Sequence, residues 1–113
     1  MITQHITLSA DRRITPPVLY AVQNDTGREI LARFMDYEIP TGASATLHGE
    51  LPDFTGIDSE AEIAGQTVTA DPTDLLTQAG TVKAQIEIDD GKTVTTFAFL
   101  IIVQEDITGG AQP

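Results

Sequence analysis

The chain has no cysteine and no tryptophan, and only two tyrosines and four phenylalanines. Without cysteine there is no disulfide framework and no thiolate metal site, and the redox state of the compartment leaves no mark on the sequence. The scarcity of aromatic rings argues against a sugar pocket built by stacking. Basic residues are also few. Six Lys and Arg stand against seventeen Asp and Glu, a formal charge of −11, which repels phosphate backbones and anionic lipid, so neither nucleic acid nor membrane is expected as a partner. The bland reading of the acid excess is solubility. Long apolar runs are missing as well. The longest, Phe97 to Val103, is far too short to cross a bilayer, and the opening residues lack the basic start and apolar stretch of an export signal.

What remains is a chain of 113 residues, 41% of them hydrophobic and 20% charged, which is ordinary for one globular domain. The expected domain spans residues 1–107, and residues 108–113, Thr-Gly-Gly-Ala-Gln-Pro, have the composition of a linker. Apolar residues recur mostly with a period of two and many are β-branched, the signature of strands joined by turns. Ile2, Ile6 and Leu8 share one side of an opening strand. The stretch from Arg12-Arg13 to Pro16-Pro17 breaks it, because proline supplies no ladder donor.

Val18 to Gln23 and Arg28 to Tyr37 read as a hairpin about the turn Asn24-Asp25-Thr26-Gly27. A fourth strand carries Ala45, Leu47, Gly49 and Leu51 on one face. Residues 52–65 are acidic, small and weakly patterned, and read as a long connection with a short strand at Ala61 to Ile63. A strand at Gln66 to Ala70 and a short helical turn near 72–78, opened by Asp71-Pro72, lead to the clearest signal in the chain. There Thr81 to Ile88 alternates, Asp90-Gly91 turns, and Thr93 to Gln104 returns as the partner strand. Seven or eight short strands at such intervals predict an all-β, two-sheet antiparallel sandwich.

Nothing is arranged for proton transfer or nucleophilic attack, so no enzyme and no cofactor are expected. The histidines, His5 and His48, stand alone on polar strand faces, and no glycine-rich phosphate loop is present. Asp53, Asp58, Glu60 and Glu62 offer hard oxygen ligands of the kind calcium takes, without the spacing of an EF-hand; solvated loop acids are the plainer reading. A calcium-dependent carbohydrate-binding sandwich is the alternative that these acids keep open. One feature exceeds what a half-buried strand needs. Phe97 to Val103 is apolar on both faces, so with Phe97, Phe99, Ile101 and Val103 turned inward, Ala98, Leu100 and Ile102 face out. Either another part of the chain covers them or they form a protein-docking surface.

The order of these features, with the turn QNDTG, the passage LTQAGTVKAQIEI and the closing strand TFAFLIIV, resembles the N-terminal domain of the baseplate upper protein family, from tail tips of phages that infect Gram-positive bacteria. The resemblance covers roughly residues 22–103. It implies an immunoglobulin-like sandwich and a structural role in the virion: docking onto the distal tail hub protein or another baseplate protein, and positioning fibre or receptor-binding components. It also implies a place in the phage tail, assembled in the host bacterial cytoplasm, and a homo-oligomer in the assembled particle. Members continue into a helical or trimeric stalk, whereas this sequence ends just after its last strand; the docking expectation holds with or without a stalk.

Overall fold

The computed structural model describes residues 2–11 and 13–105; the linker-like tail at 108–113 lies outside them. The described residues form eight strands: β1 (Ile2–Leu8), β2 (Val18–Val22), β3 (Arg28–Phe34), β4 (Ser44–Glu50), β5 (Gly56–Ala64), β6 (Thr67–Ala70), β7 (Gly80–Asp89) and β8 (Val94–Gln104). A 3-10 turn at Thr73–Leu75 interrupts them. The chain is all-β, as the periodicity predicts.

The two-sheet antiparallel sandwich does not form. The strands make one mixed sheet in the order β1-β3-β6-β5-β4-β7-β8-β2, curled into a nearly closed, barrel-like ring. β1 runs parallel to β3 and β2 runs parallel to β8. The reason for one sheet rather than two lies in β5. Its first residues, Gly56 to Ala61, pair with β4, and its last, Glu62 to Ala64, pair with β6. Glycine, serine and alanine along that strand let the backbone turn the corner while staying hydrogen-bonded.

β5 is also the strand the sequence concealed. Ile57, Ser59, Ala61 and Ile63 do alternate with Asp58, Glu60 and Glu62, but every inward position is only half-buried. Small inward side chains weaken the apolar signal that reveals a strand.

The hairpin expected of β2 and β3 is absent too, since β2 ends the strand order on one side and β3 lies next to the other end. Asn24 and Gly27 both take positive φ, 64° and 73°, and Asn24 N–H donates to the Leu76 carbonyl at 2.7 Å. The turn sends the chain across the ring instead of back along β2. The β7–β8 hairpin forms as read, with Asp89 opposite Val94. Its tip lies one residue further on than Asp90-Gly91: Asp90 N–H donates to the Thr93 carbonyl at 3.2 Å, Gly91 takes a positive φ of 90°, and Asp90 Oδ1 accepts from the N–H groups of Lys92 (2.8 Å) and Thr93 (2.7 Å).

The helical turn is shorter than 72–78. Asp71 Oδ1 accepts from Thr73 N–H at 2.9 Å, but Leu75, which ends the turn, and Leu76 just after it are both buried. The turn closes with i to i−3 bonds, Leu75 N–H to the Pro72 carbonyl at 2.8 Å and Leu76 N–H to the Thr73 carbonyl at 3.1 Å, the tight 3-10 pattern that runs only a few residues, and the two leucines stop the end of the ring. Phe34, Tyr37 and Phe97 fill the opposite end, with ring centroids 4.5 to 5.8 Å apart, in the offset and edge-on contacts aromatic rings favour. Between these stoppers, Ile30, Leu47, Val68, Val82, Ile86 and Ile101 pack the interior.

Candidate functional site

The inward half of the β8 reading stands in the structure: Phe97, Phe99, Ile101 and Val103 are all buried. On the outer face Ala98 is exposed, and Leu100 and Ile102 are half-buried. Leu100 and Ile102 are shielded sideways, by their neighbours in the sheet. Parallel pairing sets Val18 beside Leu100 and Tyr20 beside Ile102, and both newcomers add exposed apolar surface, Val18 at 39% and Tyr20 at 60% exposure.

The result is a four-residue apolar strip, Val18, Tyr20, Leu100 and Ile102, on two adjacent strands. On its other side β7 supplies Thr81, Lys83 and Gln85 in register with Ile102, Leu100 and Ala98. The strip therefore has a polar rim, the usual plan of a protein-binding patch. Because Ala98 is small, the face dips there into an open cleft of about 440 Å³, bounded by Pro16 and Leu100 on one side and by His48, Glu50, Lys83 and Gln85 on the other.

The acids singled out in the sequence are not brought together. Asp53 sits in the β4–β5 turn, where hydrogen bonds from Thr55 and from the Gln78 amide hold its carboxyl below the ordinary range. Asp58, Glu60 and Glu62 occupy successive outward positions of β5, and Asp58 meets His48 Nδ1 across the β4–β5 pair. Among the described residues, no three His, Asp or Glu side chains converge as a metal site requires. His5 stands exposed on β1, far in sequence and in strand order from His48.

Sequence reasoning missed two things. Val18 and Tyr20 read as an ordinary half-buried strand, and only the parallel pairing with β8 places them in the strip. Phe54 read as part of a loop, yet it is 79% exposed and its backbone has a φ of 71°, a conformation that favours glycine or asparagine. Phe54 N–H closes the turn onto the Leu51 carbonyl at 2.8 Å, and no composition signal announces that. The sequence matches no protein-family model and no curated protein.

Proposed function

We propose that this domain is a non-enzymatic docking module of a phage tail or baseplate, seated on the distal tail hub or a neighbouring baseplate protein through the outer face of β8 and β2. One observation carries the reading. Val18, Tyr20, Leu100 and Ile102 form a contiguous apolar strip on the sheet, next to a cleft with a polar rim. A surface of that kind is selected for contact with protein, because soluble domains seldom leave apolar patches bare. The sequence features that resemble the baseplate upper protein family, with its immunoglobulin-like domain, supply the identity of the partner and the place in the virion.

Two variants test it. Leu100→Asp or Ile102→Asp sets a carboxylate in the middle of the strip without touching the core. Each is expected to weaken the complex with the hub protein by about 30-fold or more, as loss of a central apolar contact does, while the melting temperature changes little. Co-purification and calorimetric titration with the hub protein measure the first, thermal denaturation the second. Undiminished binding by both variants rules out this face as the docking surface.

A further inference from the structure

Among the described residues the ring is closed everywhere except between β1 and β2, the two ends of the strand order. They face one another running in opposite directions, and the hydrogen bonds at their ends show which backbone groups look into the gap. In β1, Ile2 N–H donates to the Gly27 carbonyl (2.9 Å) and the Leu8 carbonyl accepts from Met35 N–H (2.8 Å). Even-numbered residues therefore turn their main-chain groups to β3, and Thr3, His5 and Thr7 turn theirs to the gap. In β2, Leu100 N–H donates to the Pro17 carbonyl (3.0 Å) and Gln23 N–H to the Gln104 carbonyl (2.8 Å). Leu19 and Ala21 thus pair with β8, while Val18, Tyr20 and Val22 face the gap.

The two ends of this slot are already occupied. Near Thr7 the loop between β1 and β2 leaves only a cavity of about 120 Å³, lined by Thr7, Ala10, Ile14, Pro16, Thr96 and Ala98 among others. At Val22 the Asp25 carboxylate accepts the N–H at 3.1 Å and Asp25 N–H donates to the carbonyl at 3.1 Å. In between, β1 and β2 pair with no strand on this side among the described residues, and a side chain spans the slot: Gln4 Nε2 donates to the Tyr20 carbonyl at 3.0 Å. A primary amide stands where the N–H of an intervening strand would stand. Ile2 marks the same opening. It lies on the core-facing side of β1 with Ile6 and Leu8, yet it is 56% exposed while they are buried.

We propose that this slot takes an extended peptide segment of a partner protein as a ninth strand. The segment pairs with the main chain of Val18 and Tyr20 on one side and Thr3 and His5 on the other, and it displaces the Gln4 amide. Its alternate residues that turn inward cover Ile2, so they are apolar. The −11 charge of the domain favours neutral or basic outward residues. This goes beyond the outer-face docking and does not depend on it.

The test selects binders to the whole chain from a displayed library of random seven-residue peptides and measures the enriched peptides by fluorescence anisotropy. Tyr20 N–H makes no ladder bond to β8, so Tyr20→Pro removes a slot donor and keeps the sheet. The expected results are an alternating apolar pattern in the selected peptides and about ten-fold weaker binding to Tyr20→Pro, the loss of one or two main-chain hydrogen bonds. Tyr20→Ala and Leu100→Asp should bind as the parent does, and Gln4→Ala about three-fold more tightly, since no bond has to be displaced. Hydrogen exchange reads the same site without relying on the proline variant: bound peptide should protect the amides of Thr3, His5, Val18 and Tyr20. No enrichment over a control surface, equal binding by Tyr20→Pro, protection elsewhere, or binding lost only in Leu100→Asp each overturns the slot. The last of these leaves the outer-face docking intact.

Discussion

Single residues decide how closely this ring can pack. Gly49 lies on the inner face of β4 directly beneath Leu75; a Cβ built there meets Leu75 Cδ2 at 2.4 Å and Cγ at 3.2 Å. Leu75 is 2% exposed and seals one end of the interior, so it has nowhere to retreat. Gly49→Ala is accordingly expected to cost about 1 to 3 kcal/mol, the range for overpacking a filled core, and urea denaturation should show an unchanged slope with an earlier midpoint. The sequence placed Gly49 on the correct face with Ala45, Leu47 and Leu51. It gave no sign that a leucine from a distant turn requires its missing side chain. The same holds for Tyr20, whose position on the strip depends on a partner strand some eighty residues further along the chain. Alternation tells which residues share a face, and nothing in it tells which face of which strand lies alongside.

At the scale of elements, local signals were legible and non-local ones were not. The β7–β8 hairpin could be read because turn and register lie within one stretch of chain, and with it came Ala98, Leu100 and Ile102 as the outward face of β8. The parallel pairs β1–β3 and β2–β8 join segments through crossovers, and their registers rest on core packing that no window of sequence contains. The prolines read as part of the stretch that breaks the first strand; β1 already ends at Leu8, and the structure gives Pro17 another role, at the start of β2. Ala98 is the next residue of β8 whose main chain faces β2, and the donor that would meet its carbonyl is the nitrogen of Pro17, which has no hydrogen. β2 therefore begins at Val18. Pro17→Ala should add one rung, seen as a newly protected amide at residue 17 in hydrogen exchange. The extra bond and the lost rigidity of the unfolded chain act in opposite directions, so stability should move by less than about 1 kcal/mol. A residue-17 amide that exchanges as freely as a loop amide would show that the loop, and not the proline, ends the strand.

The whole molecule carries a charge of −11 at neutral pH and a pI near 4.2, and two opposing effects set its stability against acid. Repulsion among surface carboxylates opposes the compact state at pH 7 and fades as they protonate. Against this stand four aspartates whose carboxyls are held below the ordinary 3.8: Asp11 by Arg13, Asp53 by Thr55 and Gln78, Asp71 by Thr73, and Asp90 by the N–H groups of Thr93 and Lys92. A carboxyl with a lower pKa in the folded than in the unfolded chain contributes stability that is complete above the unfolded value. That contribution is lost as pH falls through the folded one. The two effects act in different windows. As pH falls from 7 to about 4 the surface carboxylates begin to protonate, relief of repulsion dominates and the melting temperature should rise; below about 3.8 the aspartate contacts are lost and it should fall. Salt separates the causes, since screening acts on the repulsion. Added sodium chloride should raise the melting temperature at pH 7 and do little at pH 4.5, where the net charge is small. Thermal melts across pH 2.5 to 8 at two salt concentrations, about 0.02 and 0.5 M, measure both. A melting temperature that falls continuously from pH 7 downward would mean that self-repulsion is negligible and that the acid surface is neutralised locally by contacts within the fold.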